Sequence, residues 1–179
     1  VNLVGLREVV YGILGFSNDK EGNAILCKVI ETAVDVALKK GKELGVNVTV
    51  CMTESDGSNR FFALDAGKYG KNTIGEIIEG ESYSEGNMLD AAEVAKLTIK
   101  SDKIIECNKI AKLLNGGVLT KLNIAKGTKI PEIKKAIEKA SNLITSFKPV
   151  MKIPICGNCG FKDEKLVEKC PQCKSPYIL

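Results

Sequence analysis

The sequence "CGNCGFKDEKLVEKCPQCK", residues 156–174, contains four of the seven cysteines of a 179-residue chain that has no histidine. These four cysteines form two pairs, and two residues separate the members of each pair. Such pairs are typical of a metal site, because a short turn directs both sulfurs at one ion. Four thiolates favour zinc, and iron in a rubredoxin-like site is the alternative. We therefore predict a zinc site formed by Cys156, Cys159, Cys170 and Cys173.

The predicted zinc is structural rather than catalytic, because four cysteines leave no coordination position open for water. Gly160 and Lys174 occupy equivalent places after the two pairs. A knuckle needs a positive φ there, which glycine adopts readily and lysine less so. We expect a small ribbon over residues 151–179 and a separate α/β portion over residues 1–150.

A disulfide framework is another use of closely spaced cysteines, since short extracellular domains are cross-linked in this way. Seven cysteines would leave one thiol unpaired. The opening apolar run contains Arg7 and Glu8 and is unlike a signal peptide. No stretch approaches the ~20 apolar residues of a membrane span. These features favour a cytoplasmic protein with reduced thiols and no membrane partner.

The remainder of the chain predicts helices interleaved with single strands, which is typical of an α/β fold. Helical spacing occurs in five stretches, residues 3–14, 23–44, 61–69, 90–114 with a break near Ser101, and 131–144. Extended patterns occur at residues 46–50, 118–124 and 147–155. Pro149 makes the last of these an edge strand or a linker. Residues 73–87 follow neither pattern.

Four segments occur in the order found in anaerobic (class III) ribonucleoside-triphosphate reductases, and the chain resembles the carboxy-terminal part of these glycyl-radical enzymes. The segments are "VGLREVV" (4–10), "TESDGSNRF" (53–61), "LLNGGVLTKLNI" (113–124) and the cysteine ribbon. The resemblance implies part of a glycyl-radical-enzyme type α/β barrel that encloses the active site, followed by the zinc ribbon. Three strands are few for a complete barrel.

The resemblance also implies a function, the radical reduction of ribonucleotides to deoxyribonucleotides. The implied partners are the amino-terminal catalytic part of the same enzyme, a radical-generating activating enzyme and a ribonucleoside triphosphate substrate. The sequence does not decide the oligomeric state, and a homodimer is one of the alternatives. The only implied cofactor of this part is structural zinc.

The family's radical-glycine segment, which follows the second cysteine pair, is absent from residues 1–179, where no glycine follows Gly160. The thiyl-forming cysteine belongs to a part upstream of residue 1. We therefore assign no catalytic residue and expect the chain alone to be inactive. Cys27 and Cys107 fall in helical patterns and are expected to be buried fillers, whereas Cys51 follows an extended stretch.

The loop at residues 53–61 differs from the family's Thr-Pro-Ala-Glu pattern, because Glu54 replaces the proline and Asp56 the glutamate. Glu54, Asp56 and Arg60 are candidate substrate-binding residues at the carboxyl end of a strand, where barrel sites are assembled. Solvated charges on a turn are the alternative.

A stand-alone zinc-ribbon adaptor that binds nucleic acid or a protein partner is the second candidate function. The formal net charge is +4, and lysines 162, 165, 169 and 174 surround the cysteines. The ribbon has only Phe161 and Tyr177 as aromatic residues, and lysines elsewhere alternate with acids. This is weak support for a nucleic-acid surface.

Overall fold

The computed structural model describes residues 1–15, 20–55, 57–70, 82–151, 153–163 and 168–176, in which helices alternate with short parallel strands. The helices are α1 (Leu6–Leu14), α2 (Lys20–Leu44), α3 (Gly57–Tyr69), α4 (Ala91–Val94), α5 (Asp102–Leu113) and α6 (Ile130–Leu143). The strands are β1 (Asn87–Asp90), β2 (Thr120–Asn123) and β3 (Phe147–Val150). None of the described helices is long and apolar enough to cross a membrane.

Strand β2 lies at the centre of the sheet and pairs in parallel with β1 on one side and β3 on the other. Parallel neighbours need a crossover connection. Helices α4 and α5 connect β1 to β2, and α6 connects β2 to β3. Pro149 lies in β3, at an edge of this sheet, as its missing N–H predicts.

The two faces of the sheet differ in what covers them. One face presents Leu89 and Leu122 to the helices, where they share a core with Ile104 of α5 and Ala140 of α6. The opposite face, called here the open face, carries Met88, Asp90, Lys121, Asn123 and Lys148. Met88 on this face is 63% exposed. Parallel sheets are normally covered on both faces. The open face therefore resembles the inner surface of a larger protein.

A second core lies between α1, α2 and α5. Val10, Ile30 and Ile110 from these helices pack with Val50 and Met52. The helices predicted here are confirmed, but the apolar face predicted for α2 is only partly right. Ala37 is buried as expected, whereas Val29 and Val36 are exposed and the helix buries Leu26, Ile30 and Val34 instead. Gly70, with a φ of 91°, follows the end of α3 as expected.

The regular strand predicted over residues 46–50 is wrong. Residues 47–50 belong to no strand, and isolated parallel bridges form instead at Cys51 and Met52. The backbone N–H of Val46 donates to the Gly41 carbonyl at the end of α2, and that of Val50 donates to Asn115 Oδ1. These two backbone N–H groups are therefore not available for hydrogen bonds to a neighbouring strand. The strand predicted over residues 118–124 is confirmed in its central part by β2.

Strand β1 was not predicted from the sequence. Its four residues span the boundary between the unassigned stretch and a stretch with helical spacing. A strand of this length has too few residues for a pattern of period two to stand out. The break near Ser101 is confirmed, because Ser101 is the N-cap residue of α5.

Gly86 lies where the segment that leads into β2 changes its hydrogen-bonding partner from Met52 to β1. Leu119 N–H donates to the Met52 carbonyl, and the Leu119 carbonyl accepts from the N–H of Asn87, the first residue of β1. Gly86 has a φ of 62°, and a Cβ at this position would lie 2.1 Å from the Leu119 carbonyl oxygen. Only glycine therefore fits at this position, where Met52 and Asn87 both bond to Leu119.

We expect Gly86→Ala to lower the free energy of unfolding by more than about 2 kcal/mol, because both its φ and the contact with Leu119 disfavour a side chain. Gly127→Ala is the matched control, since Gly127 has a φ of 79° and open space around it. The control should lose only about 1 kcal/mol, the cost of the backbone conformation. Urea unfolding measures both, and equal losses would contradict the close approach.

Candidate functional site

The four predicted metal ligands come together in the structure. All the Sγ atoms of Cys156, Cys159, Cys170 and Cys173 lie within 4.8 Å of one another. The Cys156–Cys173 sulfurs are 3.5 Å apart and the Cys159–Cys170 sulfurs 3.6 Å. Zinc–sulfur bonds of about 2.3 Å in a tetrahedron give sulfur–sulfur distances of about 3.8 Å. The cluster therefore has the dimensions of a tetrahedral metal site and is too wide for disulfides.

Two similar backbone turns position these sulfurs. In each, the first cysteine, Cys156 or Cys170, donates its N–H to the carbonyl five residues later and accepts from the N–H four residues later, at 2.8–2.9 Å. Gly160 and Lys174 adopt φ values of 74° and 61°. The expectation that both places need a positive φ is confirmed, even though one holds a lysine.

The surroundings shift the pKa values of two of these thiols, Cys159 and Cys173, in opposite directions. The backbone N–H of Ser175 lowers the pKa of Cys173 to about 6. The backbone N–H of Phe161 acts to lower the pKa of Cys159, but desolvation and hydrogen bonds among the sulfurs outweigh it and raise that pKa to about 12. The protonation of Cys159 and Cys173 thus depends on the sulfurs around them. A metal ion that binds all four as thiolates would release protons.

The ribbon has its own small core. Cys156 and Cys170 are buried and pack with Phe161 and Cys173. An antiparallel bridge between Ile155 and Lys162 closes the first turn. The buried contacts of the ligands are thus made within the ribbon itself.

The candidate substrate-binding residues are not brought together by the described structure. Asp56 lies outside the described residues, and Arg60 is exposed on α3. Glu54 is exposed too, and its carboxylate contacts two lysines of the open face. The hydrogen bond from Lys148 and the charge of Lys121 lower the pKa of Glu54. A role for these three residues in substrate binding stays a prediction.

Glu85 is a residue that sequence analysis missed. Its Oε1 accepts from the Ser55 N–H at 2.9 Å and from Ser55 Oγ at 3.0 Å, and its Oε2 lies 3.2 Å from Lys121 Nζ. Burial acts to raise the pKa of Glu85, but hydrogen bonds from Ser58, Ser55 and Lys121 outweigh it and lower that pKa. The side chain is only 6% exposed. No motif marks Glu85, because it lies in the stretch without a clear pattern.

Cys27 and Cys107 are buried, as expected for fillers. Cys27 lies on α2 and Cys107 on α5, and burial raises the pKa of both thiols. Cys51 is half-buried, and its Sγ lies 3.6 Å from Asn2 Oδ1. Among the described residues, none of these three sulfurs belongs to the four-cysteine cluster.

The fold and the cysteine cluster define a mixed α/β protein with an appended ribbon of metal-binding geometry. Residues 1–178 match the sequence model of the family described as anaerobic ribonucleoside-triphosphate reductase. The chain therefore belongs to this family. A search of curated proteins finds no significant match.

Solved structures of similar fold carry related names. One is an anaerobic ribonucleotide reductase, with a TM-score of 0.57, 18% identity and 99% of this chain covered. Another is the Thermotoga maritima anaerobic ribonucleotide reductase in complex with dATP and CTP, with a TM-score of 0.55, 19% identity and 99% of this chain covered. The chain spans only 28% and 29% of these two structures.

We expect Glu85→Gln to reduce the free energy of unfolding by about 1–3 kcal/mol at pH 7, because Lys121 and the Ser55 N–H lose a charged acceptor. A carboxylate with a lowered pKa contributes stability above its ordinary value of 4.5, and this contribution disappears as the pH falls through the lower folded-state pKa. The two proteins should therefore begin to converge in stability as the pH falls below 4.5.

Urea unfolding at several pH values measures this convergence. Glu93→Gln is the control, because Glu93 forms a 2.7 Å ion pair with Lys103 in which both side chains are exposed. Such a pair contributes little to stability, so the control should follow the parent chain at every pH. A difference between Glu85→Gln and the parent that does not change with pH would contradict the assignment.

Proposed function

We propose that the chain forms part of the barrel wall, together with the ribbon, of an enzyme that reduces ribonucleoside triphosphates by radical chemistry. The observation that carries the proposal is the match of residues 1–178 to the reductase family. Because the chain spans less than a third of the solved reductases, the complete activity would need the amino-terminal catalytic part and a radical-generating activating enzyme.

The arrangement of the sheet supports a place in a barrel wall. Helices cover one face, whereas Lys121, Asn123 and Lys148 line the open face. In an α/β barrel the helices lie outside and the opposite face of each strand points inward. The open face would then look into the barrel interior, where a nucleotide would be bound.

We infer that zinc is the metal of the ribbon and that its role is structural. The sulfur–sulfur distances of 3.5 and 3.6 Å and the four cysteine ligands suit zinc. With every position filled by protein, the ion would stabilise the ribbon without polarising a substrate. The proposed boundary lies near residue 150, because the ligands' buried contacts are made within the ribbon.

The proposed substrate is a ribonucleoside triphosphate, consistent with the CTP named for the Thermotoga maritima enzyme. Glu54, Asp56 and Arg60 stay candidates for contacts with it, since Glu54 contacts Lys121 and Lys148 of the open face. The adaptor function is not favoured, because the family match extends over the α/β portion as well as the ribbon.

For the metal, we expect one zinc per chain by metal analysis of freshly prepared reduced protein. Cys170→Ser should lose the ion and unfold the ribbon while α2 and α5 keep their amide protection in hydrogen exchange, because the binding energy of the ion folds that unit alone. Cys51→Ser should keep the zinc, since its sulfur lies outside the cluster. Loss of all helical structure in Cys170→Ser would show that the ribbon is not separate.

For the activity, the complete polypeptide that contains residues 1–179 should develop a glycyl-radical signal in electron paramagnetic resonance after anaerobic treatment with an activating enzyme. It should then convert a ribonucleoside triphosphate to the deoxy product. A sample without the activating enzyme is the control. A radical-bearing, zinc-loaded protein that forms no deoxyribonucleotide would refute the proposed function.

A further inference from the structure

Two lysines lie side by side on the open face. Lys121 of β2 and Lys148 of β3 are register partners in adjacent parallel strands. Neighbouring strands are about 4.8 Å apart, so the two side chains leave the sheet close together and in the same direction. Like charges opposite each other destabilise a sheet. An anion between the two ammonium groups therefore stabilises the pair.

Glu54 supplies that anion from a loop. Its Oε2 lies 2.5 Å from Lys148 Nζ, and its Oε1 lies 3.7 Å from Lys121 Nζ, so one carboxylate bridges both lysines. The side chains of Glu54 and Lys148 are 45% and 51% exposed. The bridging carboxylate is thus accessible to solvent. Hydrogen bonds hold Thr53 and Ser55 on either side of it, so Glu54 can leave the lysines by rotation of its own side chain while the backbone stays in place.

Lys121 is held in place by a different carboxylate. Glu85 lies 3.2 Å from Lys121 Nζ and is anchored by the N–H and Oγ of Ser55. Lys121 itself is 19% exposed. If Glu54 moved away, Lys121 would keep its position, and the two lysines with Glu85 would carry a net positive charge. A prepositioned cationic site would then face the solvent.

We propose that Lys121 and Lys148 form a binding site for a phosphate oxyanion, and that Glu54 is an internal anion that occupies the site until a phosphate group displaces it. A phosphate group carries more charge than a carboxylate and offers more acceptor oxygens, so it can accept from both lysines at once. The inference depends on the proposed function only for the natural ligand, which would be the triphosphate of a nucleotide.

Glu54 and the two lysines have opposite roles in this site. Glu54, a candidate contact to substrate from its position in the loop, becomes the competitor of the substrate. The contacts themselves come from Lys121 and Lys148, two lysines that the register of the sheet places together. Exchange of one anion for another would also keep the lysine pair neutralised both with and without ligand.

The test is calorimetric titration of the chain with inorganic tripolyphosphate at low ionic strength. Glu54→Gln should bind roughly tenfold more tightly than the parent chain, because the competing charge is gone. Lys148→Ala should bind roughly tenfold more weakly and show a shallower dependence on salt, and Lys148→Arg should retain binding. Lys135→Ala, which removes an exposed lysine of α6, is the control and should bind like the parent.

The proposal is overturned if tripolyphosphate binds to neither the parent nor Glu54→Gln, if Glu54→Gln binds no more tightly, or if Lys135→Ala loses as much affinity as Lys148→Ala. CTP and cytidine distinguish the sources of phosphate. CTP that binds like tripolyphosphate indicates a general phosphate site, and CTP that binds more tightly indicates a nucleotide site. Cytidine that binds as tightly as CTP would contradict recognition through phosphate.

The two proposals can fail separately. The titration uses no radical chemistry, so it stands if the complete polypeptide reduces no nucleotide. Conversely, a complete enzyme that forms deoxyribonucleotides while Glu54→Gln and Lys148→Ala bind tripolyphosphate like the parent chain would refute the anion site alone.

Discussion

The parallel pairing of β2 with a neighbour on each side is the constraint on which the rest of the structure depends. Parallel strands cannot be joined by tight turns, so the connections must cross over as helices. Here α5 and α6 pack on the same face of the sheet as Leu122. The chain thereby buries one face by its own means, and every polar side chain of the other face takes its position from the register of β2.

The change of neighbour at Gly86 follows from the same pairing. Residues 51–52 leave the side of β2 at Leu119, and β1 replaces them from Asn87 onward. The loop that contains Glu54 departs at this point and passes over the open face, where Glu54 meets Lys121. Gly86 allows β1 to replace residues 51–52 beside Leu119, and at this point Glu54 and Glu85 lie against Lys121.

The ribbon depends on a different physical principle. Its core is formed by three of the four clustered cysteines, with Phe161 as the main apolar contact. So small a core cannot stabilise a fold by burial alone, and an ion bound by the four cysteines would supply the missing free energy. The α/β portion instead forms its cores from apolar side chains of helices and strands, and it leaves one face of its sheet open.

The sequence by itself determined the features that depend on a few neighbouring residues. The cysteine spacing predicted the cluster, Gly160 and Lys174 predicted the two turns, and Gly70 predicted the end of α3, because each depends on local backbone geometry. The register of the sheet depends instead on hydrogen bonds between residues far apart in the chain. Only the tertiary structure therefore decided that pairing begins at Cys51 rather than at Val46, that β1 exists, and that Glu54 lies against Lys148, 94 positions away.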